Sequence, residues 1–479
     1  MPSRYRPAQH KPSIWRRIRG WGAHFSTRSP SRFAVMVFTG IIALWTFLFM
    51  LPASSASGEP TPFADALFTA VSTICVTGLA TVDMATHWSP FGNVLVFLGV
   101  QVGAVGVLTL ASLLGRVVTR RLGLRQKLIA ASDSNPLRTH GGPVAEQQAV
   151  RLDEVGGILA TAAVSLVLIQ SIAALFLLPV LLATPEIGPW WVAFGDAYYY
   201  AASAFTNTGF TPNPDGIAPF ANNAWFLGCI AVTVFIGSLG FPVLFALVRR
   251  VRTGQRIGVH VRLTIWTTLI LLVAGWLLIY LLEFDNPDTL GKEDAWFAPL
   301  NAGFMSTMTR SGGFSTVDIA EMSDSTLLVM NMLMFVGGGS ASTAGGIKVT
   351  TLAILFLAAV AEAKGSADIQ VFERRIPIDV LRLAVAVVLW GATIIAVSSI
   401  TVMHLSGAEF KYALFDTISA FATCGLSTGL TAELPESATY VLTATMWLGR
   451  VGTVTFAAAL ASRQKRQLYT LPEERIIVG

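Results

Sequence analysis

Cys75-Val76-Thr77-Gly78-Leu79, Thr206-Asn207-Thr208-Gly209-Phe210, Arg310-Ser311-Gly312-Gly313-Phe314 and Ala422-Thr423-Cys424-Gly425-Leu426 are four versions of one short phrase. Each closes an apolar run too brief to cross a bilayer, and each sets a glycine before a large apolar residue. Six positions before the glycines stand Ser72, Ser203, Thr307 and Ser419, and the first and third copies run on into Thr81-Val82-Asp83 and Thr316-Val317-Asp318. A register kept over that distance marks an internal repeat.

Around these phrases the chain is overwhelmingly apolar. Of 479 residues 53% are hydrophobic and 13% charged, the composition of an integral membrane protein. Cys75, Cys229 and Cys424 are odd in number and lack CxxC spacing, which excludes a disulfide framework or a structural zinc site. The six histidines are scattered, and no serine sits in a nucleophile elbow with plausible partners, so nothing suggests an enzyme. No feature suggests nucleic-acid binding.

Apolar stretches near 33–52, 91–118, 155–183, 222–248, 261–284, 325–362, 378–405 and 436–461 are mostly long enough for the roughly 20 residues of a spanning helix. Between the members of each pair lies a shorter segment, near 62–75, 193–206, 296–309 and 410–422, long enough for only about half a bilayer. A half-span must re-enter from one side, and irregular backbone at membrane depth is tolerated only where protein buries it or where it lines a wet cavity. The expected fold is therefore all-α: eight spanning helices and four re-entrant pore helices, in four helix, pore-loop, helix repeats with pseudo-fourfold symmetry about one pore. The expected divisions are a basic arm (1–32), repeats at 33–125, 126–254, 255–375 and 376–466, and a tail (467–479). The first span follows that arm and precedes a small-residue run at 53–58, but its apolar core exceeds that of a signal peptide and it is read as retained.

Basic residues gather in the arm, at Arg116 to Lys127, at Arg249 to Arg262, at Lys364, Arg374 and Arg375, and at Arg463 to Arg466. By the positive-inside rule these faces and both termini are cytoplasmic, where they also suit anionic membrane lipid. The pore-loop side is acidic, with Glu59, Asp83, Asp318 and Glu409 among others, opposed mainly by Lys292, Arg310 and Lys411. A negative outer mouth concentrates cations.

Stripping water from a cation costs tens of kcal/mol unless oxygen dipoles replace it, and backbone carbonyls do this where glycine lets the chain turn them toward an axis. The candidates are Val76, Thr77 and Gly78, Asn207, Thr208 and Gly209, Ser311, Gly312 and Gly313, and Thr423, Cys424 and Gly425. A second feature interrupts the sixth span: Gly337-Gly338-Gly339-Ser340-Ala341-Ser342-Thr343-Ala344-Gly345-Gly346-Ile347-Lys348. Each glycine costs a helix about 1 kcal/mol against alanine, and Ser and Thr offer the backbone competing bonds, so the helix should break here. The tract is not a phosphate-binding loop, because Ile347 separates Gly346 from Lys348 and no strand precedes it. Arg450 interrupts the last span and should face protein or water. Gly103, Gly106, Gly237 and Gly240 are expected to serve close helix packing.

These elements resemble the potassium transporters of the Ktr/Trk/HKT superfamily, most closely the bacterial KtrB-type membrane subunit, over nearly the whole chain from about 33. The resemblance implies K+ uptake across the bacterial cytoplasmic membrane through a gated channel-like pore, with K+ as the transported ion and Na+ dependence left open. It implies that the loop glycines mark the selectivity filter. Some plant relatives that favour Na+ carry serine at the position matching Gly78. It further implies that Gly337 to Lys348 form an intramembrane gating loop with Arg450 as its partner. Other implications are a homodimer, one pore per protomer, and a cytoplasmic ring of nucleotide-binding, RCK-type (KtrA-like) regulatory subunits, with no nucleotide on this chain itself. An alternating-access secondary cation transporter, symporting H+ or Na+, is the alternative.

Overall fold

The computed structural model describes residues 30–106, 152–184, 187–254, 256–366 and 368–452. Most of the basic arm, the cluster at 116–127, the basic residues near 463–466 and the tail lie outside the described residues, so the expectations placed there have no structural counterpart.

The described chain is helical apart from one small hairpin. In order it forms α1 (Pro30–Phe49), α2 (Phe63–Cys75), α3 (Pro90–Ala104), α4 (Leu152–Leu182), α5 (Trp190–Thr206), α6 (Ala224–Leu239), α7 (Phe241–Thr253), α8 (Val259–Glu283), α9 (Ala298–Met308), α10 (Asp324–Phe335) and α11 (Val349–Ala363). Strands β1 (Ile369–Val371) and β2 (Arg374–Ile376) follow, then α12 (Ile378–Ser406), α13 (Phe410–Ala422), α14 (Leu430–Glu433) and α15 (Glu436–Trp447), which runs into a π turn at Leu448–Gly452. Helix starts are locally encoded. Ser89, Asn223 and Ser323 accept from the backbone N–H groups of Gly92, Phe226 and Thr326, capping α3, α6 and α10.

Helices α2, α5, α9 and α13 occupy the four segments read as half-spans. At 1.5 Å per residue the 13 residues of α2 reach about 20 Å, short of the roughly 30 Å hydrocarbon core. Each packs against the helix before it and also against the second helix of the preceding unit: α5 on α3, α9 on α6, α13 on α10 and α2 on α15. That chain of contacts closes on itself.

Among the described residues three helices are long and apolar enough to cross a membrane: the Ala162–Leu182 part of α4, α8 and α12. The fourth expected span, 222–248, is not straight. Helices α6 and α7 meet at 96°, because Gly240 adopts φ +94° and ψ 147° and Pro242 follows within the first turn of α7. Gly240 is thus a break as well as the close-packing residue expected, since a Cβ on it would lie 2.6 Å from the Ser340 carbonyl oxygen, and Gly106 (φ +85°) follows the end of α3. Gly103 and Gly237 do serve close packing. A Cβ on either would collide with a carbonyl of a short helix, Ile74 or Phe205 respectively, and Gly449 stands in the same relation to Phe421. The sixth span breaks between α10 and α11 at the glycine-rich tract, as its composition requires.

The core follows from this packing. Phe68, Tyr200, Phe205, Phe415 and Phe421 on the short helices are wholly buried, whereas Leu175, Leu281 and Ile400 on the long ones are exposed as a lipid-facing surface demands. The β1–β2 hairpin pairs Ile369 with Ile376 and places Phe372 under the guanidinium of Arg262, 5.7 Å from the ring centre.

Candidate functional site

Each short helix is followed by the same backbone figure, directly after α2, α5 and α13 and after a turn through Thr309 and Arg310 in the case of α9. Val76, Asn207, Ser311 and Thr423 take left-handed φ values of 58°, 59°, 67° and 47°, and two residues on Gly78, Gly209, Gly313 and Gly425 take 92°, 83°, 75° and 90°. The residue between, Thr77, Thr208, Gly312 or Cys424, does not. Along an ordinary extended chain successive carbonyls point to opposite sides, and alternating the sign of φ turns them toward one side. A left-handed non-glycine residue costs about 1–2 kcal/mol, most for a β-branched one such as Val76, and four such costs at one register call for a function.

The four loops meet. A Cβ on Gly78 would collide with the carbonyl oxygen of Thr208. One on Gly425 would collide with that of Thr77 and lie 3.0 Å from that of Thr208, and one on Gly313 would lie 2.8 Å from the Thr208 oxygen and 3.0 Å from that of Cys424. Gly209 abuts the Cα of Gly313 at 2.6 Å by the same measure. The carbonyls of Thr77, Thr208 and Cys424 therefore crowd one small volume with the four glycines. A Cβ on Gly312 would run back into Met308. In every loop the second glycine-bearing position (78, 209, 313, 425) is half-buried between buried neighbours, so solvent touches the four loops at equivalent points.

Hydrogen bonds hold the figure. The N–H groups of Thr77, Thr208 and Cys424 donate to the carbonyls of Ser72, Ser203 and Ser419 at 2.7, 2.9 and 2.9 Å. The hydroxyls of Ser72 and Ser419 accept from Gly78 and Gly425 N–H, both at 3.1 Å. The second loop lacks this clasp, for Ser203 Oγ has no hydrogen-bond partner among the described residues, and the third departs further: Gly312 N–H donates to the Met308 carbonyl, and the Thr307 hydroxyl donates to Gly303.

The electrostatics favour a cation. The C-terminal ends of α2, α5, α9 and α13 lead into the loops, and each contributes roughly half a negative charge from its free carbonyls. Among the described residues no group of three metal-ligating side chains stands anywhere, so the oxygen donors here are backbone carbonyls and hydroxyls. Buried Thr77 and Thr423 hydroxyls have no hydrogen-bond partner among the described residues.

The glycine-rich tract lies directly against this cluster. Its neck is pinned by a bridge between Val336 and Ile347 and by Val349 N–H to the Gly338 carbonyl. It enters the α6–α7 bend, where Gly339 N–H donates to Ser238 and Phe241 N–H to Ala341. Gly337, Gly338, Gly339, Gly345 and Gly346 allow backbone approaches that no Cβ would permit. A Cβ on Gly345 would collide with the Thr423 hydroxyl, and one on Gly346 would lie 3.2 Å from Ala422 Cα. The Thr343 hydroxyl lies 3.1 Å from both Asn207 Oδ1 and the Gly237 carbonyl. Ser340 reaches Thr350, Ser342 reaches the Ala344 carbonyl, and Lys348 Nζ donates to that carbonyl at 2.8 Å. Arg450, 6% exposed, donates from Nη1 to the Thr343 carbonyl and from Nη2 to that of Gly103 at 3.1 Å.

Two residues were misjudged or missed from the sequence. Arg310, read as a basic residue of the outer face, is wholly buried behind the third loop and donates to the Val336 carbonyl at 2.7 Å. Its position directly before a glycine loop was the available signal. Asp416, unremarked in the sequence, is wholly buried on α13 and accepts from the hydroxyls of Ser427, Thr428 and Thr431 and from the N–H groups of Thr428 and Thr431. It braces the chain leaving the fourth loop. Tyr200 on α5, equally spaced from its glycine, does the same for Gly216 at 2.8 Å. A lone acid in an apolar re-entrant segment could have flagged it. The three cysteines are free thiols.

The family model described as TrkH, cation transport protein, matches residues 13–467. The chain is 33% identical to the Ktr system potassium uptake protein B of Vibrio alginolyticus, over 94% of each chain. It is 30% identical to the protein of that name from Bacillus subtilis, covering 94% of this chain and 96% of the relative. It is 31% identical to the potassium/sodium uptake protein NtpJ of Enterococcus hirae, over 94% and 97%. The crystal structure of the potassium transporter TrkH from Vibrio parahaemolyticus superposes with a TM-score of 0.66 at 17% identity, covering 89% of this chain and 83% of that one, a shared fold.

Proposed function

The chain belongs to the TrkH family of cation transport proteins, and we propose that it takes K+ into a bacterial cell down the electrochemical gradient through one gated pore. It is a membrane transporter and not an enzyme. The four glycine loops are the selectivity filter. The carrying observation is that four loops with the same left-handed residue and glycine meet at one place, at the carbonyl ends of four short helices. The units 33–125, 126–254, 255–375 and 376–466 are the four repeats about this pore.

Gly337 to Lys348 form the gate. Support comes from their contact with the second and fourth loops and from the Arg450 clamp on Thr343. Na+ is a candidate activator, since the Enterococcus relative is a potassium/sodium uptake protein. A homodimer in the cytoplasmic membrane, with termini inside and a nucleotide-binding regulatory ring below it, completes the proposal.

The test is Rb+ uptake by cells lacking their own K+ uptake systems, expressing the chain with and without a regulatory subunit. Saturable uptake that K+ competes for supports the reading. No uptake under any partner condition, with insertion into the membrane established, refutes it.

A further inference from the structure

We propose that Arg310 is the positioning residue that holds the third filter loop and joins it to the gate, an inference resting on the filter reading above. The guanidinium is wholly buried. It donates from Nη1 to Val336 at 2.7 Å, while Nε and Nη2 have no hydrogen-bond partner among the described residues. A buried cation without a carboxylate is expensive to keep and in a membrane segment marks function by default.

The surrounding bonds form a closed circuit. The Arg310 carbonyl accepts from Asn207 Nδ2 at 3.0 Å, and Asn207 is the left-handed residue of the second loop. Asn207 Oδ1 accepts from the Thr343 hydroxyl at 3.1 Å, near the tip of the glycine-rich tract. Val336, bridged to Ile347, is the neck of that same tract. From Arg310 the circuit thus runs through its side chain to the neck, along the tract to the tip, through Asn207, and back to the Arg310 carbonyl. Loops two and three are in backbone contact at Gly209 and Gly313, so the circuit fixes their spacing.

Loops two and three lack the clasp that the Ser72 and Ser419 hydroxyls give loops one and four: Ser203 Oγ has no hydrogen-bond partner among the described residues, and the Thr307 hydroxyl is committed to Gly303. The circuit ties these two loops to each other and to the tract. Arginine suits the task. Its planar fork keeps its geometry and is more weakly hydrated than an ammonium. Displacing the tract then pulls on the third loop, so opening of the gate and selectivity are linked through this one side chain.

The test compares Arg310→Gln, Arg310→Lys, Asn207→Ala and the double variant Arg310→Gln/Asn207→Ala with wild type, in the uptake-deficient cells, at matched membrane abundance. Gly78→Ser serves as the filter control. The readouts are the K+ concentration for half-maximal Rb+ uptake and the inhibition of that uptake by Na+. Arg310→Gln is expected to lower K+ over Na+ discrimination about tenfold, Arg310→Lys to restore part of it, Asn207→Ala to reproduce the loss, and the double variant to be no worse than Arg310→Gln. Unchanged discrimination with only lower abundance, or effects that add in the double variant, overturns the proposal. Should Arg310→Gln not insert, Arg310→Lys decides, since it keeps the charge and removes only the planar fork. A wild type that takes up no K+ sinks the filter reading itself. Wild-type uptake with a selectivity change in Gly78→Ser but none in the Arg310 and Asn207 variants sinks this inference alone.

Discussion

The guanidinium of Arg450 donates to the carbonyl of Thr343, tying the end of the last helix to the tip of the glycine-rich tract 107 residues earlier in the chain. The other end of the fork holds the Gly103 carbonyl, where α3 stops. One side chain therefore fastens the tract both to the end of α3 and to the turn that follows α15.

Removing that fastening should favour the displaced tract. A charge-assisted hydrogen bond contributes about 1.5–3 kcal/mol, a factor of roughly 10–100 in the balance between tract positions. Arg450→Gln is expected to raise the maximal rate of Rb+ uptake without a regulatory subunit and to blunt its response to one. A rate equal to wild type in both conditions refutes the clamp.

Gly78 has no room for a side chain, since a Cβ would collide with the Thr208 carbonyl, and its φ of 92° disfavours any other residue. Gly78→Ser must displace a carbonyl of the neighbouring loop. K+ over Na+ discrimination should fall at least about tenfold while the protein still reaches the membrane. Competition of Na+ against Rb+ uptake measures this, and undiminished selectivity would place the filter elsewhere.

The tract can be loosened in place. Val336 and Ile347 form a parallel bridge, which a two-residue turn cannot close, so the tract is weakened at its contacts and not cut out. Thr343→Ala removes the hydroxyl that reaches Asn207 and the Gly237 carbonyl and is expected to raise unregulated flux several-fold. Flux unchanged with and without a regulatory subunit shows that the tract is not the gate.

Asp416 should matter to stability more than to rate. Its two oxygens accept five hydrogen bonds from the segment 427–431, and Asp416→Ala leaves all five donors unpaired in a buried site. A loss of about 3 kcal/mol or more is expected, read as a lower unfolding temperature in detergent, with Asp416→Asn intermediate. Equal unfolding temperatures for all three proteins would show that the brace is dispensable.

Hydropathy and glycine register were enough to read the helical class and the four short segments, whose limits agree with α2, α5, α9 and α13 within a few residues. A short apolar run followed by a polar glycine loop has few ways to satisfy its backbone in lipid, so the local pattern is decisive. The bend at Gly240 was not legible, because an isolated glycine in an apolar run fits a packed helix as well as a break. What separates the two is Pro242 and the tract that fills the bend. Arg310 was misread for a related reason. Charge tallies assign a side of the membrane, but cannot tell whether a side chain turns out to solvent or back under its own loop.

The sequence by itself determined that the chain is a membrane protein, that four short helices end in glycine loops, and that the apolar stretch 325–362 must break. Each is a matter of hydrophobic length and backbone propensity over neighbouring residues. Only the tertiary structure decided that Asn207, Arg310, Val336 and Thr343 form one circuit and that Arg450 closes on Thr343 and Gly103. Those bonds join residues up to 347 positions apart, and apart from Asn207 Oδ1 their acceptors are backbone carbonyls, which every residue carries and which no sequence pattern can therefore single out.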